Sequence, residues 1–225
     1  MCKIRVYLSK INHHLCQDMY DDLLQVISKE NRERCQRFRR TENALHTLYG
    51  ELILRHVLIQ QFALKNDEIE ILKEESGKPY VKGTPIHYNI SHSRDYVVCA
   101  FSEQAVGIDI QWIKEVDLKI AKKYFCNSEC DDLFAQPADQ QADDFATLWT
   151  LKESYIKWSG KGMSKALDSF CFKIENEKTF VTDMNLETTP FFKHISLDGY
   201  KIALCSMMGN FEVEMEDICV EDMQF

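Results

Sequence analysis

The chain has 225 residues, 45% hydrophobic and 28% charged, with eight glycines and four prolines, a composition that can bury a sizeable core and leaves no low-complexity tract. Its formal net charge of -9 argues against general nucleic-acid binding, and no run approaches the roughly 18 apolar residues of a membrane span. Met1–Leu8 is too short an apolar run for a signal peptide, so the expected location is the cytoplasm, with nine cysteines kept as reduced, mostly packed thiols. Cys126 and Cys130 lack a second ligand pair for zinc.

Charge is uneven along the chain. Residues 1–104 carry 15 Lys/Arg against 14 Asp/Glu, and residues 105–225 carry 12 against 22. Within the first half, Arg32, Arg34, Arg37, Arg39 and Arg40 form a basic cluster suited to an anion, although a helical period turns them in several directions.

Ile4–Leu8 alternates as a short strand, and Asp18–Ile27 carries a helical pattern. A longer helix is expected from Thr41, with Leu45, Leu48, Tyr49, Leu52 and His56 on one side and Gly50 allowing another backbone to come close. Gly77-Lys78-Pro79 reads as a turn that carries Lys78 into a loop. Ile86, Tyr88 and Ile90 alternate as a strand that runs into Ser91-His92-Ser93, with a second strand at Tyr96–Phe101, so His92 is expected at a strand end.

In Val106–Trp112 the apolar residues occupy one strand face and Gly107, Asp109 and Gln111 the other. Cα atoms two residues apart lie roughly 6.5 to 7 Å from each other, so Asp109 and Gln111 could both approach one hard cation; a solvent-facing polar stripe explains the alternation equally well. A helix from Leu118 carries Tyr124 and Phe125, which fit either a core or an apolar docking surface.

The stretch Trp149–Gly162 reads as a helix stopped by Gly160 and Gly162. Leu148, Leu151, Tyr155 and Trp158 make an apolar stripe, Glu153 and Lys157 share its edge, and Lys152 falls inside it. A buried ammonium needs an anionic partner, supplied by the protein or by a ligand. Tyr96–Ser102 and Tyr200–Ser206 are similar strands, each following a long helix. The fold class expected is therefore α+β, with halves at 1–104 and 105–225 and a site at their seam.

Gly77-Lys-Pro79, Asn89-Ile-Ser-His-Ser93, Gly107-Ile-Asp-Ile-Gln111 and Trp149–Lys157 with Gly160-Lys-Gly162 together resemble the ordered signatures of the Sfp-type 4′-phosphopantetheinyl transferases. The resemblance implies two α+β halves in pseudo-twofold arrangement, each with a small, mainly antiparallel sheet and a long helix. It implies coenzyme A at their interface and Mg²⁺, with Mn²⁺ as an alternative, near the pyrophosphate. The phosphopantetheine arm would pass to a serine of an apo acyl, peptidyl or aryl carrier protein. Asp109, Glu153 and, in place of a third acidic ligand, Gln111 would hold the metal. Lys157, Ser91 and His92 would contact phosphate oxygens, Lys78 would sit near the nucleotide, and Arg34 is a further nucleotide contact. Lys152 would orient Glu153 or assist deprotonation, and Glu153 is an alternative base acting through water. The partners implied are coenzyme A and the carrier, with neither nucleic acid nor membrane, and a monomeric enzyme. A metal-dependent phosphohydrolase and a non-catalytic carrier-binding module are the competing classes.

Overall fold

The computed structural model describes residues 3–114, 118–176, 178–184 and 186–225. The chain runs β1 (Lys3–Lys10), α1 (Gln17–Val26), α2 (Lys29–Arg37), α3 (Thr41–Phe62), β2 (Ile71–Lys73), β3 (Pro79–Val81), β4 (His87–Ser93), β5 (Tyr96–Ser102) and β6 (Val106–Trp112). It continues through α4 (Lys119–Tyr124), α5 (Asn127–Ala135), α6 (Gln141–Ser159), β7 (Cys171–Glu175), β8 (Lys178–Thr182), β9 (Phe191–Leu197), β10 (Tyr200–Ser206) and β11 (Glu212–Asp217).

The two similar strands become the central strands of two sheets. One sheet is ordered β11-β1-β5-β4 and the other β6-β10-β9. In each, the central strand, β5 or β10, pairs antiparallel with both neighbours. Strand alternation then divides the side chains. Ile4, Val6, Leu8, Val98 and Ala100 from the first sheet share one core cluster with Val106, Ile108, Ile110, Ile202 and Leu204 from the second. Residues of opposite parity, such as Tyr7, Val97 and Cys99, pack with Leu48 and Leu52 of α3, while Ala203 and Cys205 pack with Leu151 and Tyr155 of α6. Period 2 in the strands and period 3.6 in the helices thus produce two α+β halves related by a pseudo-twofold axis. Beyond Ser206 the chain crosses back, and β11 completes the first sheet by pairing parallel with β1.

A buried polar network seats α2 on α3. The Glu51 carboxylate accepts hydrogen bonds from the Ser28 amide at 2.6 Å and from the Asn31 amide at 2.6 Å. The same carboxylate takes the Arg55 guanidinium at 2.8 Å, and Arg55 also donates to Asn66. Every partner is satisfied, which is the condition for burying an ion pair without a large penalty. This fixes the helix that carries Arg34.

The strand at Ile86–Ile90 continues through Ser93, because the reversal is made by Arg94 at φ 49°, so His92 stands at the strand end as expected. Two other expectations require correction. Cys126 and Cys171 are joined as a disulfide, since the start of α5 brings Cys126 to the first residue of β7 with a Cα separation of 5.9 Å. Phe125 is 4% exposed and stacks on Phe145 at 5.2 Å, so it belongs to the core and cannot anchor a docking partner. Tyr124 lies half-buried, edge-on to Trp149.

Among the glycines, the closest approach of another backbone sits at Gly107. A Cβ there would lie 2.0 Å from the Ser154 carbonyl oxygen and 2.5 Å from the Trp158 amide nitrogen, so α6 rests directly on β6. Gly107→Ala should therefore destabilise the fold by about 3 kcal/mol or more. Gly209→Ala, whose methyl would meet only the Phe191 ring at 3.5 Å, should cost little. Urea denaturation of both variants tests this, and an unchanged midpoint for Gly107→Ala would show that α6 is not seated as described.

Candidate active site

The free edges of β4 and β6 meet at the seam between the sheets, and side chains replace the backbone ladder there. Asn89, Ser91 and Ser93 alternate onto one face of β4. Asn89 Oδ1 accepts the Ile108 amide at 2.8 Å, Ser91 Oγ the Ile110 amide at 3.3 Å, and Ser93 Oγ the Trp112 amide at 2.9 Å. Unpaired buried amides would each carry a desolvation cost, so these polar side chains join the two halves. The polar residues of this motif therefore have a structural duty that strand periodicity alone does not reveal.

Ser91 is also part of a charged cluster. Its hydroxyl donates to Asp109 Oδ1 at 2.7 Å and accepts from Lys157 Nζ at 2.8 Å. Lys157 also donates to Asp109 Oδ1 at 2.7 Å and to the Ile108 carbonyl at 3.1 Å. Gly107 lets α6 come close enough for this, and Asp109, 6% exposed, faces the helix. Glu153 lies one turn before Lys157. Burial and then the neighbouring Asp109 charge raise its pKa, against the pull of Lys157. Among the described residues Glu153 makes no hydrogen bond or ion pair. Two carboxylates thus share one ammonium, and one of them remains uncompensated.

Gln111 continues the Asp109 face of β6. Its amide donates to the Trp112 carbonyl at 3.1 Å, leaving its own oxygen available. It borders a 170 Å³ cavity lined also by Trp112, Ile120, Phe145 and Trp149. Among the described residues no cluster of three or more His, Cys, Asp or Glu side chains could hold a metal. The oxygens that α6 and this face of β6 offer, the Asp109 and Glu153 carboxylates and the Gln111 amide, are of the hard type that Mg²⁺ takes together with waters and substrate phosphates.

His92 emerges on the other face of β4. Its ring stacks on that of His46 at 4.1 Å between centroids, with 12° between planes. Desolvation by its neighbours, then the charges of His46, Lys157 and Arg34, push its pKa down to about 4. Those interactions bring α2, α3, β4 and α6 to one electropositive place. Arg34 is exposed there, with its guanidinium 5.5 Å from the Phe38 ring.

One lysine carries a structural duty the sequence does not show, and a second departs from expectation. Lys78 donates to the carbonyls of Val106 at 3.3 Å and Trp158 at 3.2 Å, so its ammonium ties the end of α6 to β6. The last carbonyls of a helix lack partners within it, and a cation satisfies one of them here. Burial lowers the Lys78 pKa. Lys152 is fully buried on the opposite side of α6 from the seam cluster. It pairs with Glu129 at 2.8 Å and donates to the carbonyls of Leu167 and Phe170, both at 2.8 Å. Its three donors are used, so it cannot orient Glu153 or take a proton. The anion required by its place in the apolar arc is Glu129 of the protein itself.

Lys152→Met should leave Glu129 buried without a counter-charge and cost about 3 to 5 kcal/mol. Restoring the loss with Lys152→Met/Glu129→Gln would confirm a packing pair; normal stability with lost activity in the single variant would restore a catalytic role. His92 supplies a second test. It takes up a proton near 6.5 when unfolded and near 4 when folded. Its contribution is full above pH 6.5 and is lost as pH falls through 4, because the unfolded chain binds the proton first. The fall in melting temperature between about pH 7.5 and about pH 5 should be smaller for His92→Asn than for the wild type. Equal falls would mean that the ring is already charged in the folded chain.

Two family models match the sequence: "4'-phosphopantetheinyl transferase, N-terminal" over residues 14–104 and "4'-phosphopantetheinyl transferase superfamily" over residues 105–205. The chain is 36% identical to 4'-phosphopantetheinyl transferase Sfp of Bacillus subtilis (strain 168), across 98% of this chain and 100% of that protein. It is 36% identical to 4'-phosphopantetheinyl transferase ffp of Bacillus subtilis, across 97% and 99%. It is 34% identical to 4'-phosphopantetheinyl transferase gsp of Aneurinibacillus migulanus, across 96% and 94%. The chain belongs to the 4′-phosphopantetheinyl transferase family.

Proposed function

We propose that this chain passes the 4′-phosphopantetheine group of coenzyme A to a serine hydroxyl of an apo carrier protein, giving the holo carrier and adenosine 3′,5′-bisphosphate. Family membership supports the reaction. The observation that carries the site is the seam cluster, where Asp109 and Glu153 face Lys157 and Ser91 between the two sheets. The two halves, 1–104 and 105–225, would hold coenzyme A between them, with the sheet of the first completed by β11 from the second.

In the transfer, the serine oxygen bonds to the β-phosphorus of coenzyme A. The bond from that phosphorus to the bridging oxygen breaks, leaving the bridging oxygen on the nucleotide. Mg²⁺ or Mn²⁺ at Asp109, Glu153 and Gln111 would shield the pyrophosphate charge. Lys157 then turns from Asp109 towards the pyrophosphate, while His92 and Arg34 hold phosphate oxygens. Ser91 keeps Lys157 and Asp109 in register, and Lys78 holds α6 against β6 behind them. With Lys152 withdrawn into the core, Glu153 is the candidate base left at the seam. It would take the serine proton through a water. The carrier is an acyl, peptidyl or aryl carrier domain, and the enzyme works as a monomer in the cytoplasm. No helix among the described residues is long and apolar enough to cross a membrane.

Incubation with coenzyme A, Mg²⁺ and several apo carriers, followed by intact mass measurement, should show carriers gaining one phosphopantetheine. Unmodified carriers with consumed coenzyme A would instead indicate hydrolysis. Asp109→Asn and Glu153→Gln should each slow transfer by about 10²-fold or more, with folding retained. Near-normal turnover of either variant would exclude that residue from the reacting centre. Gln111→Glu should lower the Mg²⁺ concentration needed for half-maximal transfer, because a third carboxylate strengthens a hard-cation site.

A further inference from the structure

His46 lies in the second turn of α3 and is 6% exposed. Its Nε2 is 2.9 Å from the Arg94 carbonyl oxygen. A carbonyl only accepts, so Nε2 carries a proton and donates it. Nδ1 is buried and has no partner among the described residues. A buried imidazole with one idle nitrogen calls for a reason, since an unsatisfied polar atom has a desolvation cost. The stacking contact supplies one. The flat face of His46 lies almost parallel to His92, while its Nε2–H fixes its own plane to the turn between β4 and β5. Arg94, which makes that turn at φ 49°, also places its guanidinium 4.0 Å from the centre of the Trp112 ring on β6. One histidine therefore ties α3, the turn after β4 and the ring of His92 into a single arrangement.

We propose that His46 is a positioning residue for phosphate binding: its ring, anchored through Nε2 to the Arg94 carbonyl, is the platform that holds His92 in the plane from which it meets a phosphate of coenzyme A. This rests on the reading of His92 as a phosphate contact. An exposed histidine on a strand samples several rotamers, and fixing one before the ligand arrives reduces the entropy lost on binding. Arg34 and Lys157 approach the same ring from α2 and α6, so a fixed His92 presents its polar edge where two further cations already converge. His46 needs no contact with the ligand for this. Its effect should appear in coenzyme A affinity and in the Michaelis constant for coenzyme A, with turnover at saturation preserved.

Calorimetric titration with coenzyme A separates the possibilities, using His92→Ala, His46→Gln, His46→Phe and the double variant His46→Gln/His92→Ala. Glutamine keeps a donor for the Arg94 carbonyl but removes the flat ring; phenylalanine keeps the ring. His46→Gln should weaken binding about tenfold, His46→Phe should stay within about threefold of wild type, and the double variant should match His92→Ala. Wild-type affinity in His46→Gln overturns the proposal. So does a loss in His46→Gln that recurs undiminished in the His92→Ala background, since it would then be general damage to the fold. If His92→Ala alone binds coenzyme A normally, the phosphate role of His92 fails, and the platform falls with it for a separately visible reason.

Discussion

Lys157 makes three hydrogen bonds at the seam, and the arrangement of both halves depends on them. Its ammonium reaches Asp109, Ser91 and the Ile108 carbonyl, so one cation on α6 contacts two residues of β6 and one of β4. An ammonium has three donors, and all three find protein acceptors. The cluster forms only because Gly107 removes the one side chain that would hold α6 away. Ser91 in turn supports the Ile110 amide, so the same hydroxyl serves backbone pairing and charge pairing. Fold and site are consequently one construction, and loosening the seam would loosen the chemistry.

The electrostatics of the seam favour a change of state when a polyanion and a cation arrive together. Asp109 has its counter-charge, but Glu153 has only a share of it, and burial with a like charge nearby raises its pKa. A divalent cation relieves that repulsion and frees Lys157 for an anion. The His92 ring, held neutral by desolvation and by the cations around it, gains a reason to protonate once phosphate charge enters. Each group is under-compensated in a direction that coenzyme A with Mg²⁺, bound as proposed, would correct. Two buried pairs elsewhere, Lys152 with Glu129 and Arg55 with Glu51, have no such deficit and fix helices.

Much of this was legible in the sequence because it follows period. Alternation in Val106–Trp112 separates the core residues from Gly107, Asp109 and Gln111, and the spacing of Glu153 and Lys157 puts them on one edge of α6. The paired strands Tyr96–Ser102 and Tyr200–Ser206 disclose the two-half α+β architecture. What escaped depends on tertiary partners. The position of Lys152 on the helical wheel demands an anion, but only packing of α5 against α6 identifies it as Glu129. Lys78 looks like a loop cation, yet it ends on the Trp158 carbonyl of α6, eighty residues away. The turn after Ser93 carries neither glycine nor proline, and its left-handed residue is Arg94, so no local pattern marks where β4 reverses. The pairing of Cys126 with Cys171 and the burial of Phe125 likewise arise from how α5 and β7 meet, which no local pattern records.

A crystal structure of this chain with coenzyme A and Mg²⁺ bound would examine the seam most directly. The described arrangement predicts the pyrophosphate against Lys157, a phosphate on His92, and the cation between Asp109 and Glu153, with β4 and β6 still joined through Asn89, Ser91 and Ser93. Coenzyme A bound away from the seam, for example in the groove bordered by Phe180 and Phe191, would contradict it.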